Sequence, residues 1–374
     1  MEPVRLLREL VALPSVNPAF VPANDPAAGE ARVADCLASH AAKVGLEVRR
    51  QPVLPTRENL LVSLSPAGRA RRRVLLAPHM DTVGANAAQL KPVVRNGRLH
   101  GRGACDTKGS IAAMFAALAA LSRSGRRPAE TEIVLATLVD EENQQRGSRA
   151  LAASKFQADL AIVGEPTGLK VVTAHKGNLW LRLETRGKAA HGARPELGRN
   201  AALEMARIVQ LLETEYASAL RCRRHPVLGY ATISVGTIAG GTQPNIVPDR
   251  CAIHADRRTL PGETESGVRR EIQALLRLHG LRASVADSKD APCWPMETAP
   301  DLPLVREFMD CIGQRGPAGA HYFCDASVLS HAGIPSVVFG PGDIAQAHTA
   351  GEWISLRQLD QATALLIRFL RSLP

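Results

Sequence analysis

Five short segments carry histidine and carboxylate side chains in patterns that suit metal-assisted hydrolysis. The segments are residues 78–81, 100–106, 140–142, 164–167 and 340–348, and they hold His79, Asp81, Asp106, Glu141, Glu142, Glu165 and His348. Two imidazoles and three carboxylates can hold two divalent ions, and one bridging carboxylate would keep the ions about 3.5–4 Å apart. The set contains no thiolate, which favours a catalytic site with open coordination positions over a structural zinc site.

The spacing within two of these segments indicates which side chains would bind metal, which would orient a ligand and which would act as a base. The His-x-Asp spacing of His79 and Asp81 suits a metal-bound imidazole whose other ring nitrogen donates to the carboxylate. The neighbours Glu141 and Glu142 can act separately, one as a metal ligand and the other as the base that deprotonates a water. Each pattern alone is more typical of an ordinary polar loop. The prediction therefore depends on their joint occurrence.

The elements around these segments predict an α/β fold with a mostly parallel sheet. Strands are predicted at residues 73–77, 131–138, 160–163 and 334–339, and helices at 2–12, 28–44, 108–124 and 356–373, the last with Ser355 as its N-cap. Ligand sites in open α/β sheets form at the carboxyl ends of the strands. We therefore expect the five segments to meet at one rim of the sheet.

The middle of the chain has a different pattern. Residues 179–185, 231–238 and 250–255 alternate with period two, and residues 200–216 and 265–279 have helical periodicity. This predicts a small antiparallel α+β domain at residues 178–289. It would be inserted into a catalytic domain formed by residues 1–177 and 290–374.

The composition indicates a large folded protein. The 374 residues are 45% hydrophobic and 22% charged, which excludes disordered, collagenous and small disulfide-rich classes. The seven cysteines are scattered and form no CxxC pair, as expected for reduced thiols in the cytoplasm. We find no signal peptide and no apolar run near the roughly 18 residues that span a membrane, so no membrane partner is expected.

The net charge of +10 raises the question of nucleic-acid binding. The basic residues are dispersed, and the dense runs at 69–73, 123–127 and 221–224 each lie beside a turn signal. A basic helix or basic residues interleaved with aromatic ones would be expected for a nucleic-acid module. The sequence shows neither, so we expect no nucleic-acid partner.

Taken in order, the motifs resemble the acetylornithine deacetylase / succinyl-diaminopimelate desuccinylase / carboxypeptidase family of dinuclear zinc hydrolases. The likeness is carried by residues 79–83, 101–109, 140–142 and 164–167 and by His348, and it runs from Pro14 to Glu352. It implies a zinc-aminopeptidase-like α/β domain interrupted by a smaller lid domain through which two copies form a homodimer. It also implies two divalent metal ions, with zinc as the first choice and cobalt or manganese as alternatives.

The resemblance implies a role for each residue of the predicted site. Glu141 would be the general base, and Asp81 would orient the ring of His79. The implied metal ligands are His79, Asp106 and Glu165 for the first ion, and Asp106, Glu142 and His348 for the second, with Asp106 bridging the pair.

The resemblance also implies residues that contact the substrate. His191, within Ala190-His191-Gly192, would reach the active site of a partner subunit and polarise the scissile carbonyl. Asn245 and Arg258 match lid positions that hold the substrate, and a guanidinium suits bidentate capture of a carboxylate. Gly340 and Gly342 would let the backbone approach the ligand closely.

These observations predict a metal-dependent amidohydrolase that removes an acyl group from an N-acyl amino acid, with N-acetylornithine as the leading substrate. Within the resemblance, Glu165 favours the carboxypeptidase and deacylase branch, and the phrase Ala174-His175-Lys176-Gly177 resembles acetylornithine deacetylase more than the desuccinylases. A desuccinylase, a glutamate-type carboxypeptidase and a general aminoacylase share the metal set, because the shape of the pocket selects the acyl group and side chain. A non-enzymatic alternative is a metal-free binding protein with the same fold.

Overall fold

The structure is a computed structural model, and it describes residues 2–288 and 291–374. The chain divides into two compact units. The larger unit comprises the chain from the N-terminus to Thr173, Glu297–Gly319 and Cys324–Pro374. The smaller unit comprises Ala174–Met296 and Ala320–Phe323. The predicted domain boundary between residues 289 and 290 lies outside the described residues.

The described residues form helices and strands in alternation. The helices are α1 (Pro3–Ala12), α2 (Ala31–Lys43), α3 (Lys108–Ser124), α4 (Arg146–Ala153), α5 (Ala201–Leu211), α6 (Ala217–Arg221), α7 (Glu265–Leu278), α8 (Pro303–Ile312), α9 (Ala326–His331) and α10 (Leu356–Ser372). The strands are β1 (Glu47–Leu54), β2 (Arg57–Leu64), β3 (Arg72–Pro78), β4 (Val93–Arg95), β5 (Arg98–His100), β6 (Thr131–Thr137), β7 (Leu160–Gly164), β8 (Val172–His175), β9 (Gly177–Arg186), β10 (Arg224–His225), β11 (Gly229–Tyr230), β12 (Thr232–Gly240), β13 (Arg250–Thr259), β14 (Ser284–Asp287), β15 (Met296–Glu297), β16 (Ala318–Ala320), β17 (Ser336–Val338) and β18 (Trp353–Ser355).

Most predicted elements are confirmed to within a few residues, and the long helices agree best. The helix predicted at residues 108–124 has those bounds, and it ends at Gly125, which adopts the left-handed conformation. Ser355 caps α10 by accepting a hydrogen bond from the backbone N–H of Gln358, as predicted.

Two predicted helices were partly wrong. The helix predicted from residue 28 begins at Ala31, because Gly29 has a φ of 80° and its N–H bonds to the carbonyl of Val16 instead of continuing a helix. The helix predicted at 200–216 is regular only over α5. It continues as a π-helical turn, Leu212–Tyr216, and then as α6.

The larger unit is built on a sheet of order β1-β2-β6-β3-β7-β17, continued by the short strands β8, β15 and β16. Its four neighbouring strands β6, β3, β7 and β17 run parallel, whereas β1 and β2 pair antiparallel at one edge. The predicted mostly parallel α/β class is confirmed. Since parallel strands end at the same edge, the segments that follow these four strands lie at one rim.

Helices α1, α2, α3, α8 and α10 contribute buried apolar residues to the core around this sheet. Helix α3 is buried along most of its length, because its alanines let neighbouring elements approach closely. It begins directly after the segment that holds Asp106, so the buried helix anchors that segment. None of the helices in the described part of the chain has the length and apolar character needed to span a membrane.

The smaller unit contains an antiparallel sheet of order β12-β13-β9-β14. Ala255 on the central strand β13 lies opposite Val235 on one side and Leu181 on the other. Strand β13 buries alternate residues, and apolar residues of the sheet share a core with α5 and α7 that includes Ile208 and Ile272. The antiparallel strands and the helix at 265–279 predicted for this region are confirmed, and the helix at 200–216 is confirmed only over α5.

Candidate metal centre

The first group of ligands lies where the central strands of the larger unit end. His79 follows β3 directly, Glu165 follows β7, and Asp106 lies in the loop before α3. The Nε2 atom of His79 is 3.1 Å from Oδ1 of Asp106 and 3.8 Å from Oε1 of Glu165. All three side chains are buried. Their donor atoms all lie within 4.8 Å of one another, close enough to bind a single cation.

A second group shares Asp106 with the first. The Nε2 atom of His348 is 3.3 Å from the other oxygen of Asp106, Oδ2, and 2.9 Å from Oε2 of Glu142. Each oxygen of the Asp106 carboxylate therefore faces one imidazole, which is the arrangement that a bridging ligand requires. Imidazole nitrogens and carboxylate oxygens together suit zinc, cobalt or manganese. The residues present thus fit two neighbouring divalent cations.

Asp81 organises both His79 and the segment after β6. The Nδ1 atom of His79 lies 2.9 Å from the backbone carbonyl of Asp81 and 3.5 Å from its Oδ1, so the carbonyl is the nearer acceptor. The two carboxylate oxygens of Asp81 accept hydrogen bonds from the backbone N–H groups of Glu141 and Glu142, each at 3.1 Å. Asp81 thus holds the imidazole through its backbone carbonyl and both glutamates through its carboxylate.

Behind Asp81 lies a buried polar network that the sequence did not indicate. The side-chain amide of Asn17 donates to Oδ2 of Asp81 at 2.8 Å and to Oδ1 of Asp140 at 3.0 Å. Arg57 donates to Asp140 at 3.1 Å and to both oxygens of Glu30, at 2.6 and 2.8 Å. The family resemblance begins at Pro14, close to Asn17, but it assigns no role to Asn17, Arg57 or Glu30.

We expect Arg57→Met to destabilise the protein by about 3–5 kcal/mol, because it leaves the buried carboxylate of Glu30 without its cation and removes the nearer of the two arginines that face Asp140. Urea denaturation followed by circular dichroism measures the change in unfolding free energy. Arg50→Met is the matched control, since Arg50 pairs with Asp35 on the exposed face of β1 and such pairs contribute about 1 kcal/mol or less. Equal effects of the two substitutions would show that the buried network contributes no special stability.

A second carboxylate absent from the predictions fixes the loop that carries Asp106. Oε1 of the buried Glu352 accepts hydrogen bonds from the backbone N–H groups of Cys105 and Asp106 at 2.8 and 3.1 Å. Its Oε2 accepts from the N–H of Gly103 and from Arg102 at 3.0 and 2.7 Å. The loop is therefore held by a side chain nearly 250 residues away in the chain.

The glutamates of the centre hold protons more tightly than ordinary glutamates. Burial raises the pKa values of the Glu141, Glu142 and Glu165 carboxyls, and neighbouring carboxylates raise them further against a partial offset from His79. Hydrogen bonds with Asp106 and Glu142 raise the pKa of His348 to about 10. Burial would raise the pKa of Asp106, but its hydrogen bonds with His348 and His79 lower it overall. The centre therefore keeps exchangeable protons at neutral pH.

Because a cation must displace these protons, we expect its affinity to rise with pH. The raised pKa values of the ligands Glu142, Glu165 and His348 mean that protons compete with the cation at these groups and leave as the pH increases. The dissociation constant should fall about tenfold per pH unit for each proton displaced. Chelator competition at several pH values, with proton release measured in weak buffer, tests this. An affinity independent of pH would contradict it.

Comparison with known proteins identifies the family. A profile of Peptidase family M20/M25/M40 matches residues 75–372. The chain belongs to this family. It is 31% identical to an acetylornithine deacetylase of Myxococcus xanthus over 328 residues, covering 83% of this chain and 82% of that protein. It is also 31% identical to an acetylornithine deacetylase of Edwardsiella ictaluri, covering 94% of this chain and 92% of that protein.

Solved structures show the same fold at lower identity. The aminopeptidase PepT of Bacillus cereus matches with a TM-score of 0.80 at 23% identity, over 99% of this chain and 97% of that one. The M20 metallo-carboxypeptidase Sso-CP2 of Sulfolobus solfataricus matches with a TM-score of 0.75 at 18% identity, over 99% of both chains. The predicted resemblance is confirmed, and the chain is an enzyme that hydrolyses amide bonds. The alternative of a metal-free binding protein is set aside.

The glycine pair of this M20 hydrolase packs against the centre itself. A Cβ atom on Gly340 would lie 2.5 Å from the backbone oxygen of Glu165, and one on Gly342 would lie 2.5 Å from Sγ of Cys105. Gly342 also has a φ of 96°, a conformation that favours glycine. These contacts alone require glycine at both positions. The close approach of a substrate to the backbone of Gly340 and Gly342 remains a prediction.

The remaining predicted residues lie in the smaller unit of the M20 hydrolase. His191 is exposed and pairs with Ile246 in an isolated β-bridge, so it lies beside Asn245, whose carbonyl accepts from the N–H of Gly192 at 2.7 Å. Arg258, on β13, makes two hydrogen bonds with Asp256, at 3.0 and 3.1 Å. A substrate carboxylate would therefore compete with Asp256 for this guanidinium.

Proposed function

We propose that this M20 hydrolase deacylates an N-acyl amino acid, with N-acetylornithine as the first candidate. The observation that carries the proposal is the pair of ligand groups that share Asp106, with Glu141 directly before the ligand Glu142 in the chain. The deacetylases matched at 31% identity over most of their length support the substrate class. The proposal also specifies the acyl group, which is acetyl, and the amino-acid side chain, which is that of ornithine.

Two divalent cations would be held by residues of the larger unit. His79, Asp106 and Glu165 would bind the first, and Asp106, Glu142 and His348 the second. When bound, the cations would supply Lewis acidity to the attacking water and to the scissile carbonyl. Zinc is the first choice because it accepts mixed imidazole and carboxylate ligands, with cobalt and manganese as alternatives.

Glu141 would transfer the proton. Its carboxyl belongs to neither ligand group, and burial raises its pKa, so it suits accepting a proton from water and delivering it to the leaving amine. Asp81 would act as a positioning residue, because its carboxylate accepts the backbone N–H of Glu141 and lies against the ring of His79. Asn17 would hold Asp81 in turn.

His191, Asn245 and Arg258 would contact the substrate. The Nδ1 atom of His191 accepts a hydrogen bond from the N–H of Ala193 at 3.1 Å. A neutral ring with this contact carries its proton on Nε2, which is then a donor suited to a developing oxyanion. Arg258 would bind the α-carboxylate after exchanging Asp256 for it, and Gly340 and Gly342 would line the substrate.

The inserted region, residues 178–289, would serve as the lid and the dimerisation domain. Strand β12 lies at an edge of its sheet with several exposed residues, among them Ile238, and an exposed edge can pair with a second copy. We also propose a cytoplasmic location, which the seven free cysteines support. Sedimentation of the purified protein tests the dimer.

A small panel of substrates tests the proposed activity. Hydrolysis of N-acetylornithine, N-succinyl-diaminopimelate, N-acetylmethionine and an acyl-glutamate is measured with protein reconstituted with Zn²⁺. We expect N-acetylornithine to have the highest kcat/KM, because the matched relatives are acetylornithine deacetylases. Preference for another member of the panel would assign the desuccinylase, aminoacylase or carboxypeptidase alternative. No turnover by protein that holds two cations would reject all four.

A further inference from the structure

A second type of ligand cluster lies away from the catalytic centre, on the first two helices of the larger unit. Cys36 and His40 are four residues apart on α2, so their side chains lie on one face of that helix. Glu9 on α1 completes the group. The donor atoms of these three residues all lie within 4.8 Å of one another. The cluster thus combines one sulfur, one nitrogen and one oxygen donor.

The cluster is sheltered on one side and open on the other. The His40 ring packs edge-on against Phe115, with ring centroids 6.3 Å apart, and only 15% of the His40 side chain is exposed. Glu9 is 36% exposed, so its side of the cluster is accessible to water. A cation held there could complete its coordination with solvent.

The hydrogen bonding of His40 leaves it free to change role. Its Nε2 atom lies 2.7 Å from Oε2 of Glu9. A carboxylate only accepts, so this contact places the ring proton on Nε2. The Nδ1 atom is buried and has no hydrogen-bond partner among the described residues, so it can take up the proton when Nε2 loses it. Glu9 is already oriented toward the imidazole, with its other oxygen 3.3 Å from Nε of Arg5. Two of the three ligands are therefore held together before a cation arrives.

We propose that Glu9, Cys36 and His40 form a third cation site, selective for a borderline divalent transition metal such as Zn²⁺ or Co²⁺. Thiolate and imidazole ligands favour such ions over Mg²⁺ or Ca²⁺, which prefer oxygen. On binding, the Cys36 thiol releases its proton to solvent, and the His40 ring proton moves from Nε2 to Nδ1, so that the Nε2 lone pair can bind the cation. The site links α1 to α2 and is independent of the proposed catalytic reaction.

Titration of the full-length protein with Co²⁺ tests this site by absorption. A thiolate bound to cobalt gives a near-ultraviolet charge-transfer band, whereas the imidazole and carboxylate ligands of the catalytic centre give none. We expect a band that saturates at one Co²⁺ per chain in addition to the catalytic ions and that Zn²⁺ abolishes by competition. Cys36→Ser should remove the band. Glu9→Gln, at a partly exposed position, should weaken Co²⁺ binding at least about tenfold.

Cys311→Ser is the matched control. Cys311 is another partly buried thiol of the larger unit and lies 3.8 Å from the hydroxyl of Ser372, so its replacement should leave the band intact. No band at saturating Co²⁺, or a band that persists in Cys36→Ser, would overturn the site. Either result would leave the proposed amidohydrolase activity unaffected, since that activity is measured separately. Conversely, a protein that shows the band but hydrolyses none of the substrates would contradict the proposed activity and still support the third cation site.

Discussion

Replacing Glu141 with glutamine is expected to lower kcat by about 10²–10⁴-fold, the usual contribution of a general base. The amide has nearly the same shape as the carboxylate but cannot accept the proton of water. Because Glu141 belongs to neither ligand group, the variant should bind both cations as the unmodified protein does. The kcat on the preferred substrate and the metal content per chain by elemental analysis measure the two effects.

Glu130→Gln is the control for the glutamate substitution. Glu130 is an exposed carboxylate that pairs with Arg71 before β6, so its loss should change kcat less than about twofold. A Glu141→Gln variant with nearly full activity would assign the base to another group. A variant that loses a cation would instead make Glu141 a ligand.

Asp106→Asn is expected to weaken binding of both cations by more than about 100-fold, since changing even an outer-shell partner of a metal typically costs 10–100-fold. Among the described residues, Asp106 alone belongs to both catalytic ligand groups. Its two oxygens face His79 at 3.1 Å and His348 at 3.3 Å, and the amide nitrogen of asparagine cannot take the place of one of them. The hydrolytic activity should fall in parallel with the number of bound cations.

Metal content after dialysis and the rise in Tm on adding Zn²⁺ measure the loss. The unmodified protein should gain thermal stability from the cation by mass action, and Asp106→Asn should not. Asp310→Asn, an exposed position on α8, is the matched control and should retain both cations and the Tm response. A variant of Asp106 that retains one tightly bound cation would show that the two groups bind independently.

The contacts that hold the centre in place could not be predicted from the sequence. Asn17 meets Asp81 across 64 residues, and Glu352 meets Gly103 across 249. No spacing or periodicity links residues that far apart, so their pairing depends on which strands lie side by side. Strand β1 was missed for a related reason. Its exposed, arginine-containing sequence has no apolar alternation, and its conformation depends on pairing with β2.

The sequence by itself determined the types and order of the candidate ligands and the local elements that carry them. Helix periodicity, capping residues and apolar runs ending in polar motifs are properties of neighbouring residues, so α3 and α10 could be predicted almost to the residue. Only the tertiary structure decided that the two oxygens of Asp106 face different histidines and that Glu352 holds its loop. Those features require β6, β3, β7 and β17 to lie side by side, an order selected by burial of the whole core rather than by any local pattern.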